Sequence, residues 1–165
     1  MKLGLLLVTA LLATTPAAAR HADKPQPKPL LTSIDGLPFG ELPQQRLPAS
    51  GCAAYLWSKG TTHALVAVAS ADPAQLRLSL GGTIADYPRT AQQGLGGYGF
   101  AGTTTYQAAA VTVILDMAIE AQGDLTQGAE VSAGTLTLER PGEDVVILPV
   151  GGLIGCAAAT PQGGQ

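Results

Sequence analysis

The chain has 165 residues, of which 46% are hydrophobic, 13% charged and 4% aromatic, with a formal net charge of −3. That length suits one domain and excludes a multi-domain enzyme. The 21 glycines and 12 prolines exclude a bundle of long helices, because both residues penalise helix interiors.

At the N-terminus, Lys2 precedes an apolar run from Leu3 to Ala13, followed by Pro16 and the alanines 17–19. A positive start, a short apolar stretch and a small-residue site specify a secretory signal peptide, with cleavage expected after Ala19. The run is about half the length a membrane span requires, so no transmembrane anchor is expected. The exported protein is expected to be soluble, in the periplasm or the medium.

Residues 20–50 carry six prolines, at 25, 27, 29, 38, 43 and 48, and read as a partly disordered, Pro-rich leader. Within it Ile34, Leu37, Phe39 and Leu42 are apolar enough to dock on a neighbouring domain. Residues 51–158 read as that domain, and 159–165 as a flexible tail. The domain and tail together hold four basic and nine acidic side chains with no basic cluster, which argues against a nucleic-acid partner.

Cys52 and Cys156 are the only cysteines. In an oxidising compartment such a pair forms a disulfide. It closes a loop of 104 residues, for which chain entropy gives roughly 4–5 kcal/mol. It places the first and last strands of the domain side by side or face to face. No C-x-x-C motif and no metal-ligand spacing accompany the pair, so neither a metal nor another cofactor is expected.

From Cys52 onward the dominant period is two, the mark of half-buried strands. Cys52–Ser58 and His63–Ser70 read as a pair joined around Lys59 and Gly60. Leu76–Leu80 alternates, and so does Thr135–Glu139. Val111, Val113, Leu115, Met117 and Ile119 share one face of another strand, where β-branched residues favour strand over helix. Val145–Val150 reads as a mostly buried strand. Turns are expected at Asp72-Pro73, Gly81-Gly82, Gly123-Asp124, Pro141-Gly142 and Gly151-Gly152. These runs predict an all-β fold, a small antiparallel β-barrel or sandwich of seven or eight strands.

Residues 94–99 match G-x-G-x-x-G, but a dinucleotide site needs a strand before the glycines and a helix after them. Residues 88–93 hold no apolar strand and residues 100–106 make a poor helix, so an irregular or flexible loop running into an edge strand is expected. The same region gathers Tyr87, Arg89, Tyr98, Phe100 and Tyr106. Aromatic and Arg side chains serve as recognition anchors, which makes these five the candidate ligand- or partner-binding residues.

Catalytic constellations are sparse. His63 is the only histidine of the domain, and no G-x-S-x-G elbow occurs. Asp116 and Glu120 share a strand face but stand roughly 13 Å apart at ~3.3 Å per residue, wider than glycosidase carboxylate pairs. Glu139, Glu143 and Asp144 flank Pro141-Gly142 at an expected hairpin tip. The expected function is therefore a non-enzymatic binding or interaction module of the bacterial envelope, its partner an unidentified protein or envelope ligand. A small hydrolase using carboxylates or His63, and a structural envelope protein, are the alternatives. Signal peptide, one wide disulfide and a small β domain together resemble, in architecture alone, small exported bacterial β modules such as periplasmic lysozyme inhibitors. No functional residue is carried over.

Overall fold

A computed structural model describes residues 28–123 and 127–158. The expected signal peptide, the tail and part of the Gly123-Asp124 turn lie outside the described residues. Nine strands follow in chain order: β1 (Phe39–Gly40), β2 (Cys52–Ser58), β3 (Leu65–Ser70), β4 (Gln75–Leu80), β5 (Thr83–Gln93), β6 (Thr103–Ala108), β7 (Val111–Glu120), β8 (Gly128–Glu139) and β9 (Val146–Cys156).

From β2 to β9 each strand pairs antiparallel with the next, and β9 pairs back onto β2. The result is a closed eight-stranded up-and-down barrel with one short extra strand, which resolves the choice between barrel and sandwich. Eight strands give an interior that side chains can fill. Leu56, Leu76, Leu78, Val113, Leu115, Leu136, Leu138, Leu148 and Val150 are buried in it. Arg77, Asp86, Asp116, Glu130 and Glu139 occupy the alternate positions along the same staves and reach the outside. A lipid-embedded barrel needs the reverse, an apolar outer band.

The disulfide sits at the seam. Cys52 and Cys156 are register partners of β2 and β9, their Cα atoms 3.9 Å apart, so the first and last staves are joined side by side. That end of the barrel also carries the connections 71–74 and 94–102 and the described residues 121–123 and 127 between β7 and β8. The opposite end carries 59–64, 81–82, 109–110 and 140–145. Residues 31–42 pass across it: Ile34, Phe39 and Leu42 are buried there, β1 pairs with Ser79 and Leu80 of β4, and the Asp35 carboxylate accepts a hydrogen bond from Thr62 N.

Three expectations need correction. Gly151-Gly152 is no turn, because β9 runs through both to Cys156. A Cβ on Gly152 would lie 1.9 Å from the Tyr55 carbonyl oxygen, so the glycine answers a close approach of β2 rather than a reversal. Val145–Val150 is not mostly buried. Val146, Leu148 and Val150 point inward, while Val145 and Ile147 are each 57% exposed, the alternation of a stave with one wet face. Finally, residues 88–93 belong to a strand after all, since β5 extends to Gln93, and closure leaves β6 paired on both sides rather than at an edge. Their polar composition reflects exposure, and the one irregularity is a register shift against β6 between Arg89 and Ala91.

Candidate functional site

The hairpin formed by β5, the 94–102 loop and β6 holds all five candidate binding residues. Strand geometry sends Tyr87 and Tyr106 inward, where they are register partners of Leu76 and Arg89 and are buried with the core. Burial raises the Tyr87 pKa, with a smaller opposing effect from the Arg140 charge. It pushes Tyr106 up to about 12, with smaller opposing effects from the Thr104 hydroxyl and the Arg89 charge. Thr104, two residues away on the same face, is itself buried.

The 94–102 loop turns back on itself over the disulfide end. Phe100 N donates to the Gly97 carbonyl at 2.9 Å, and Met117 N of β7 donates to the Gly102 carbonyl at 2.8 Å. Phe100 and Ala101 are buried, which pins the returning limb. A Cβ on Gly96 would lie 2.1 Å from the Phe100 carbonyl oxygen, so the glycines let two backbone limbs pack closely. The loop is therefore compact, and of the two forms expected from composition, irregular or flexible, its backbone has the irregular one. A strand precedes the G-x-G-x-x-G match, but strand β6 follows it, so no helix N-terminus is available for a pyrophosphate.

Tyr98 stands at the turn of the loop with φ +59°, a conformation uncommon for a bulky residue. The residue is 38% exposed. Arg89, half-buried, donates from Nη1 to the Gly99 carbonyl at 3.5 Å and so braces the loop from β5. Of the five candidates, then, Tyr87, Phe100 and Tyr106 are internal, Arg89 braces and Tyr98 reaches solvent. Sequence reasoning missed Leu95, which is 97% exposed in the same loop. Its only signal was a large aliphatic residue standing among glycines, outside any alternating run.

The groups considered for catalysis are engaged elsewhere. Asp116 accepts hydrogen bonds from Thr103 Oγ1 at 2.6 Å and Thr135 Oγ1 at 3.3 Å, and Glu120 accepts one from Ser132 Oγ at 2.5 Å. Glu143 pairs with Arg140 at 2.9 Å across the β8–β9 turn. His63 stacks on Trp57, ring centroids 6.5 Å apart and planes within 9°. Among the described residues no group of three or more His, Cys, Asp or Glu side chains could hold a metal ion. Comparison with protein-family models, curated proteins and solved structures finds no match for this chain.

Proposed function

We propose that this chain is a non-enzymatic binding module of the bacterial envelope and that it recognises its partner through the 94–102 loop. The observation that carries this reading is the conformation of Tyr98. A bulky residue at φ +59° costs of order 1–3 kcal/mol, and such strain clusters where a site is held ready for a ligand. Here it holds a half-exposed tyrosine near the fully exposed Leu95, on a loop anchored by the buried Phe100. Anchors already fixed in place lose little entropy when a partner covers them. Export belongs to the same reading: residues 1–19 have the pattern of a signal peptide, and a disulfide persists in an oxidising compartment.

The test is retention of an envelope component by the immobilised mature protein. The double variant Leu95→Ser, Tyr98→Ala is expected to lose roughly tenfold or more of that retention, the loss typical of removing central anchors. Its melting temperature should stay near that of the parent, since neither side chain belongs to the core. Undiminished retention by the double variant would sink the assignment of the loop.

A further inference from the structure

The single tryptophan of the chain lies on the outer wall of the barrel, away from the 94–102 loop. Trp57 on β2 is the register partner of Gly151 on β9, and β8 pairs with β9 on its other side. Between β2 and β8 runs a groove of about 410 Å³, within the size range of small-molecule clefts. Trp57 and His63 form one wall, Glu130 and Ser132 the other, and the floor is buried Gly151 with the Lys59 side chain laid over it.

Two irregularities shape it. The β2–β3 register shifts at Leu56/Trp57, and β8 shifts against β9 between Val131 and Gly134. Bulges of this kind bend a strand and re-aim its side chains. The carbonyl of Ser132, inside the β8 bulge, accepts a hydrogen bond from Lys59 Nζ across the Gly151 floor. The His63 ring lies nearly parallel to the indole plane, and Trp57 remains part-exposed. Lys59 offers three donors, and the Glu130 carboxylate several acceptor positions. The bonds they make within the protein, to the Ser132 carbonyl and from Gln122 Nε2 to Glu130 Oε2, use only part of that capacity.

An aromatic plane beside both a donor and an acceptor matches a ligand that is apolar on one face and hydroxylated at its edge. A pyranose ring has that form. A polyanion would meet Glu130 and Glu120 against one Lys, and an added peptide strand would find β2, β8 and β9 already paired on both sides. We propose that this groove is a saccharide site, taking one ring of a short neutral oligosaccharide on Trp57, with Lys59 and Glu130 bonding its hydroxyls.

Trp57 is its own reporter, because no other indole emits. Titration of the full chain with chitotriose, cellotriose and maltotriose, each to about 10 mM, should give a saturable change in emission with at least one. Gly151→Val fills the floor and pushes the Lys59 end off it, since an added Cβ lies 2.4 Å from Lys59 Cε, and the same Cβ lies 3.2 Å from the Val131 carbonyl oxygen. That variant should bind about tenfold or more weakly, and Glu130→Gln, which adds no atom against the backbone, should weaken binding several-fold. The Leu95→Ser, Tyr98→Ala variant should bind the sugar as the parent does, which separates this site from the loop. If all three sugars leave the emission and the heat of mixing unchanged, or if Gly151→Val binds as the parent does, the proposal is overturned.

Discussion

The Tyr106 phenol, 1% exposed among aliphatic side chains, carries the cost of its burial as a pKa pushed up to about 12. An acid whose folded-state pKa lies above its unfolded value stabilises the fold at pH below the unfolded pKa. That contribution disappears as pH rises through the folded one. The window here runs from the ordinary tyrosine value of 10.0 to about 12, and the loss across it is about 2–3 kcal/mol. Urea midpoints followed from about pH 9 upward should therefore fall more steeply in the parent than in Tyr106→Phe. Tyr55 and Tyr87, also raised by burial, supply the slope that remains in the variant. Parallel profiles for the two proteins would show that Tyr106 is not held neutral by the fold. At this scale the sequence identified the aromatic residues but not their exposure, because inward and outward positions on a stave differ only by parity.

Among the elements, β9 shows where local reading stops. Paired glycines are a turn signal, yet residues 151 and 152 lie within an 11-residue strand. What they answer is contact across the sheet, which neighbours in sequence do not encode. The two glycines should therefore behave differently. Gly152→Ala drives a Cβ into the Tyr55 carbonyl at 1.9 Å and should cost roughly 1–3 kcal/mol or more. Gly151→Ala meets the mobile end of Lys59 first and should cost far less. Thermal unfolding of both variants checks the contrast, and equal losses would mean that β2 and β9 do not approach as closely as described. β7 is the opposite case. Val113, Leu115 and Met117 are buried as their period of two requires, since one face of a stave must meet the core.

For the molecule as a whole, closure rests on one pairing between strands distant in sequence. Seven of the eight barrel pairings join consecutive strands, and only β2–β9 joins the ends, where the disulfide bridges residues 104 apart. Replacing both cysteines by alanine should lower the unfolding free energy by about 2–5 kcal/mol, read from urea denaturation. Hydrogen exchange should locate the change: amides of β2 and β9 near the seam should lose more protection than those of β6 and β7. Uniform protection in the variant would show that the ladder alone keeps the barrel shut.

What the sequence determined by itself follows from interactions that are local or unique. Alternation implied strands with one apolar face, glycine and proline excluded long helices, and two cysteines allowed a single pairing. Those readings led to an all-β domain of seven or eight main strands stapled at its ends. Tertiary structure decided between barrel and sandwich, because period two names the buried face of a strand and not its partner. It also decided which of Tyr87, Arg89, Tyr98, Phe100 and Tyr106 meets solvent, through the way the 94–102 loop folds back on the core. The groove beside Trp57 arose at the same level, assembled from β2, β8 and β9. Residues from 57 to 151 meet there only because closing the barrel brings its two ends together.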